Sequence, residues 1–211
     1  LALFFIDNPA DFLGRTSQIS IFSQPKPIDA FVKNTAATLQ MFFFVGDFNW
    51  RHNIPGKPAL WWPVAVFLLA GILVGIRRKY ALLFLWLSVM ILPVAISSEG
   101  VPHALRAIIL IPPVFVFVAL GFEYLWKASV RWLKKQEEKY TDLAYLISRI
   151  RKEFVILVFI VLVAVAAESY ISYFNSWAIS PYADRAFGGK QQFGGSLYDL
   201  GRFLLKEPAD I

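Results

Sequence analysis

The chain has 211 residues, of which 57% are hydrophobic, with a formal net charge of +6 and a mean hydropathy of +0.55. Soluble domains hold roughly 45–50% apolar residues, so the composition is that of a membrane protein. The positive charge does not point to nucleic acid, because the basic residues cluster beside apolar runs and no aromatic–basic recognition motif is present. The lack of cysteine excludes a disulfide framework and a thiolate metal site. Two histidines, His52 and His103, are too few for a His-built metal centre.

The first residues, Leu1–Ile6, are apolar but too short for a signal peptide and lack a basic leading region. The chain is therefore expected to be an internal or C-terminal piece of a longer protein. Residues 18–22 alternate apolar Ile19 and Ile21 with Gln18 and Ser20, which predicts a short extended segment closed by Pro25 and Pro27. Residues 28–45 predict an interfacial helix with Asp29 as N-cap. Phe31, Thr35, Thr38, Leu39 and Phe42 fall near helical spacing, and Lys33, Asn34 and Gln40 interrupt the apolar run too early for a span.

Four transmembrane spans are expected next, at about 60–76, 80–96, 107–126 and 154–171, the third with Pro112 and Pro113 inside it. Several are near 17 residues, the lower limit for a hydrocarbon layer of about 30 Å. The turn Arg77–Lys79 and the amphipathic loop 127–153 hold more than half of the 21 basic residues. The positive-inside rule then places both in the cytoplasm and residues 1–59, 97–106 and 172–211 outside. Both ends of the piece are thus extracytoplasmic. The last segment is expected to be a connector followed by the first helix of a further domain, capped by Ser196 and carrying Leu197, Leu200 and Leu204 on one stripe.

The polar features gather outside the membrane. Gly46–Pro58, GDFNWRHNIPGKP, is a knuckle with Gly46, Pro55, Gly56 and Pro58 as breakers, set between an apolar run and Trp61-Trp62. Ser97–Arg106, SSEGVPHALR, opens the third span. Together they offer Arg51, His52, Lys57, His103 and Arg106 at the outer interface, a set suited to an anionic headgroup because guanidinium groups bind phosphate in fixed geometry. Each residue also has a plainer role: Arg106 as a snorkelling anchor, the histidines as structural hydrogen-bonders, Asp47 as a turn residue, and Glu123 and Glu168 as interfacial residues, Glu168 also being able to face a cavity. The conjunction of two basic loops on one side, each opening onto a span, favours a binding site.

GDFNWRHNIPGKPAL before one span, and SSEGVPHALRAIILIPP opening another, resemble the membrane-embedded glycosyltransferases of the dolichyl-phosphate-mannose protein mannosyltransferase type, glycosyltransferase family 39, in their bacterial members. DNPADFLGRTSQISIF resembles the extracytoplasmic segment that precedes those loops, and the resemblance covers most of residues 1–178. It implies an all-α, polytopic GT-C fold, of which this piece is the latter part, in a bacterial plasma membrane. It also implies transfer of a sugar from a polyprenyl-phosphate donor to an acceptor protein or glycan on the extracytoplasmic side. Arg106 and His103 match the arginine-bearing segment at the mouth of a late helix, and Arg51 and His52 match the polar loop over it. With Lys57 they are the residues expected to meet the lipid phosphate. The family's acidic catalytic residues lie in an early loop, expected upstream of Leu1, and neither Asp47 nor Glu99 matches them. Metal-assisted and metal-free transfer stay open. The other expectation is a non-catalytic membrane protein, a transporter or structural subunit, whose outer face binds anionic lipid. The absence of a repeat and of mid-membrane charge argues against the transporter.

Overall fold

The computed structural model describes Gly14 and residues 18–187. Among these residues the secondary structure is helical throughout, as the sequence predicts, and a single antiparallel bridge, Ser20 to Ser97, stands where the extended segment was expected. Ser20 caps a 3-10 turn at Ile21–Ser23 through its side chain, so the alternation of residues 18–22 does not continue into a strand. Of the connector expected from residue 172, the described part up to residue 187 holds a π-helical turn and a short helix, and the remainder with the Ser196-capped helix lies outside the described residues.

Helix α1, Pro27–Gln40, starts at a proline, whose missing N–H would have no partner in a first turn. Lys26 occupies the cap position and Asp29 sits inside the first turn, so the expected Asp29 cap does not form. The apolar run that follows leaves the helix. Met41 and Phe42 turn into the core, while Phe44 and Val45 remain exposed. Polar residues hold α1 to its neighbour. Buried Asn34 donates from Nδ2 to the carbonyls of Ala95 at 3.1 Å and Ser97 at 2.6 Å, which satisfies the open C-terminus of helix α3, Ala81–Ala95. Replacing Asn34 by leucine strands these carbonyls, so we expect a loss of about 1–3 kcal/mol in stability, read as a lowered thermal midpoint of the purified protein.

Helix α2, Trp62–Arg78, begins with Pro63 in its first turn. It stops at Lys79, which adopts a left-handed conformation with φ 58° and returns its N–H to Gly75 and Ile76. Arg77 and Arg78 in the last turn complement the helix dipole. Helix α4, Ile111–Lys139, grows out of a 3-10 turn at Arg106–Leu110. Pro112 and Pro113 therefore stand in the first turn of the α-helix, where the lost N–H groups have no intrahelical role. Helix α5, Ala144–Tyr170, continues into a π-helical turn at Ile171–Trp177, and a short helix α6, Pro181–Ala186, follows.

Among the described residues two helices, the continuous stretches Arg106–Lys139 and Thr141–Trp177, are long and apolar enough to cross a membrane, where four spans were expected. Helices α2 and α3, at 17 and 15 residues, are shorter than that. The reason is local: Pro63 and left-handed Lys79 bound α2, and Tyr80 and Ile96 bound α3. The stretch expected as a cytoplasmic loop is the end of α4, a turn at Thr141–Leu143 and the start of α5. Of its apolar positions only Leu133 is buried, and Arg151 joins Glu137 across the turn at 2.9 Å.

The core forms where α2 crosses α4. Phe117, fully buried, packs with Leu68, Val94, Leu110 and Val114, and Met41, Phe42 and Leu60 extend the cluster toward the loops. The backbones touch at the crossing: a Cβ on Gly71 would lie 1.7 Å from the Phe117 carbonyl, and one on Gly121 would lie 1.9 Å from the Phe67 carbonyl. Small residues at such a point let two helices approach to backbone contact. Val64, Phe115 and Val165 line one cavity, so the start of α2, the start of α4 and the end of α5 meet at one end of the molecule. That end carries both polar loops.

Candidate functional site

The knuckle closes on itself before it meets anything else. Gly46 donates to the Gly56 carbonyl at 3.1 Å and Gly56 donates to the Asp47 carbonyl at 3.0 Å. Asn53 adds a bond from Nδ2 to the Lys57 carbonyl at 2.6 Å. This closure requires glycine at position 46, because a Cβ there would sit 1.8 Å from the Lys57 carbonyl oxygen. Within the loop Asp47 makes a side-chain turn, its Oδ1 accepting from Asn49 N–H at 2.8 Å, and Asn49 Oδ1 accepts from Arg51 N–H at 3.0 Å.

The second oxygen of Asp47 reaches out of the loop. Oδ2 accepts from His52 Nδ1 at 2.7 Å and from the Ala104 N–H at 2.9 Å, which belongs to the other polar loop. Asp47 is only 5% exposed. A carboxylate so enclosed is tolerated because hydrogen-bond donors meet both oxygens. The bond places an imidazole proton of His52 on Nδ1, facing the carboxylate. His103, next to Ala104, brings its ring to 4.5 Å from the His52 ring, at 30° between planes. Burial holds the His103 imidazole below its ordinary value, the charges of Arg106 and His52 push the same way, and Asp47 pulls against them. His103 is therefore neutral at neutral pH.

Arg106 is turned to the inside of its own loop. Its Nη1 donates to Ser97 Oγ and, at 2.9 Å, to the Glu99 carbonyl, and Nη2 lies 3.8 Å from the Glu99 carboxylate. The side chain thus clamps the segment that carries His103. Lys57 bonds to Glu168 and Ser172 of α5 and the π-helical turn, and Ser172 Oγ in turn donates to Glu168 at 2.7 Å. The Arg51 guanidinium donates to the Ala186 carbonyl, and Trp177 Nε1 donates to the Trp50 carbonyl at 2.8 Å. The segment after α5 is in this way tied over the knuckle.

Two cavities flank this centre. One, of about 340 Å³, has Lys57, Glu168 and Ser172 at a polar rim and Trp61, Val64 and Phe115 on an apolar wall. The other, of about 590 Å³, lies between Arg51 and the apolar residues Met41, Leu105 and Ile108. His52 and Asn53 line both. Of the five residues expected at the site, Arg51, His52 and Lys57 line these cavities, whereas His103 and Arg106 line neither. Asp47 makes the turn expected of it and also joins the two loops, and Glu168 faces a cavity, one of the two places the sequence allowed it. The sequence signal for Asp47 was its place five residues before His52 in a loop that also holds Gly46. For Glu168 it was a single carboxylate at the end of the apolar run that begins at Phe154.

No protein-family model, no curated protein and no solved structure matches the chain.

Proposed function

We propose that the chain is the latter part of an integral-membrane glycosyltransferase that moves a sugar from a polyprenyl-phosphate donor to an acceptor at the extracytoplasmic face. In this reading it crosses a bacterial plasma membrane four times, with both ends of the piece outside. Helices α2 and α3 reach across with their flanking residues and local thinning of the bilayer, a modest penalty for short spans. The observation that carries the proposal is the smaller cavity. Its polar rim, Lys57 and His52 with Glu168 paired to Lys57, lies over an apolar wall of Trp61, Val64 and Phe115. A polyprenyl-phosphate sugar has the same division, a singly charged phosphodiester on a hydrocarbon chain, which becomes a doubly acidic monoester when the sugar leaves. Lys57 would meet the phosphate as the C1–O bond to it breaks and negative charge builds on the leaving oxygen, where fixed charges help most. The acceptor hydroxyl that attacks C1 would lose its proton to a carboxylate from the part of the protein upstream.

The non-catalytic reading, binding of anionic lipid at the outer face, draws on the same rim of Lys57 and His52 and needs no carboxylate from upstream. The two readings separate on the full-length protein, supplied with polyprenyl-phosphate hexoses carrying a radiolabelled sugar. Transfer of label to a protein or glycan acceptor supports the enzyme. Lys57→Ala is then expected to lower kcat/KM roughly 10–100-fold, the worth of one charged hydrogen bond, without a change in folding. Retention of donor by the wild type with no transfer at all would favour the lipid-binding reading instead.

A further inference from the structure

Both histidines of the chain converge on one buried carboxylate. Asp47 and His52 come from the knuckle and His103 from the loop before α4, and one ligating atom from each lies within 4.8 Å of the other two. Asp47 is buried and the two imidazoles are half-buried. We infer that Asp47, His52 and His103 form a site for one divalent transition-metal ion, of the zinc class, at the meeting point of the two polar loops.

The donor set selects the metal class. Two imidazoles and a carboxylate suit zinc and its first-row neighbours, and they disfavour magnesium and calcium, which take oxygen ligands almost alone. Zinc sites with three protein ligands of this kind keep a further position for water or substrate. His52 lines both cavities, so that position would open toward them.

The geometry needs only local adjustment. Zinc lies about 2.0–2.2 Å from nitrogen and oxygen ligands, so its tetrahedral ligand atoms are about 3.3 Å apart. The His52 Nδ1 to Asp47 Oδ2 separation is 2.7 Å, so the metal takes the place of the bridging proton and the pair opens slightly. The imidazole proton of His52 then resides on Nε2. His103 closes by rotation of its side chain. Its one hydrogen bond through the ring is the long contact of 3.3 Å from the Arg106 N–H to Nδ1, which places the proton of the neutral ring on Nε2, so the acceptor nitrogen Nδ1 gives up this contact to bind the ion. Second-sphere support is already in place: Ala104 N–H and Asn49 N–H fix the carboxylate, and the Arg106 clamp fixes the loop behind His103.

The inference stands on ligand geometry and does not depend on the proposed sugar transfer, so its test uses no sugar donor. The full-length protein is stripped with a chelator and titrated with Co²⁺, whose visible absorption reports coordination by nitrogen and low coordination number, and then with Zn²⁺ in competition. We expect one Co²⁺ per chain, displaced by Zn²⁺, and a thermal midpoint that rises with Zn²⁺. His52→Ala and His103→Ala should each weaken binding by at least the roughly 10–100-fold that follows loss of a supporting residue alone. His103→Ala is the safer variant, because the side chain contributes little hydrogen bonding and the metal-free variant should melt with the metal-free wild type. Absence of stoichiometric Co²⁺ binding would overturn the site, as would equal affinity in the wild type and both histidine variants. Asp47 and His52 would then be a hydrogen-bonded pair that holds the loops together.

Discussion

Replacing Gly71 with alanine is expected to push α2 away from α4 and to destabilise the protein by about 3 kcal/mol or more, the upper end of what overpacking costs in a filled core. The added methyl would sit 1.7 Å from a backbone carbonyl oxygen, that of Phe117, and a backbone cannot step aside as a side chain can. Gly121→Ala meets the Phe67 carbonyl at 1.9 Å and should behave alike. The two changes relieve the same contact once the helices have parted, so the double variant should lose less than the sum. Gly75→Ala is the internal comparison. There the nearest neighbour is the ring edge of Phe117 at 2.8 Å, which can rotate, and a loss of about 1 kcal/mol suffices. Thermal unfolding of the three variants in one detergent gives the ranking. If Gly71→Ala melts with the wild type, backbone contact at the crossing is wrong.

The helical class was legible because it is a bulk property: long apolar runs, broken by basic turns, leave few alternatives to helices. The ends of the helices were less legible. Pro112 and Pro113 look internal to an apolar run of twenty residues, and only the 3-10 turn at Arg106–Leu110 reveals that the helix starts at Ile111. Met41 and Phe42 continue the apolar pattern of α1, yet they bury themselves by leaving it. The crossing at Gly71 is written in the sequence as glycines four apart, GILVG, but the partner at Gly121 is fifty residues away and no local pattern links the two. The same limit applies to the site. The basic residues of the two loops could be picked out by charge, and the loops do meet. What charge alone misses is how each cation is used. Arg106 turns inward to Ser97 and Glu99, and Lys57 is committed to Glu168. Asp47, discounted beside its cationic neighbours, is the group that joins one loop to the other.

That junction sets the second large effect. Asp47→Ala removes the acceptor of three hydrogen bonds, from His52 Nδ1 at 2.7 Å, Asn49 N–H at 2.8 Å and Ala104 N–H at 2.9 Å, in a place only 5% exposed. Taking one partner out of a buried polar network costs about 3–5 kcal/mol when a charge is involved, most of it from donors left without acceptors. Asp47→Asn should fall between, because its amide offers one acceptor oxygen and turns an NH₂ toward a donor. The loss should be local before it is global. Amide exchange at Asn49 and Ala104 should accelerate far more than exchange in the crossing of α2 and α4, since the core around Phe117 meets this carboxylate only through Ala104 at its edge. Equal acceleration in both regions would mean that the loops and the helix core unfold as one unit. Unchanged exchange at Ala104 would mean that Asp47 does not hold the second loop, and would leave His103 without the anchor that brings it to His52. The same variant also separates architecture from metal binding. Added Zn²⁺ should raise the melting point of the wild type, through its preference for the folded state, and leave that of Asp47→Ala where it was.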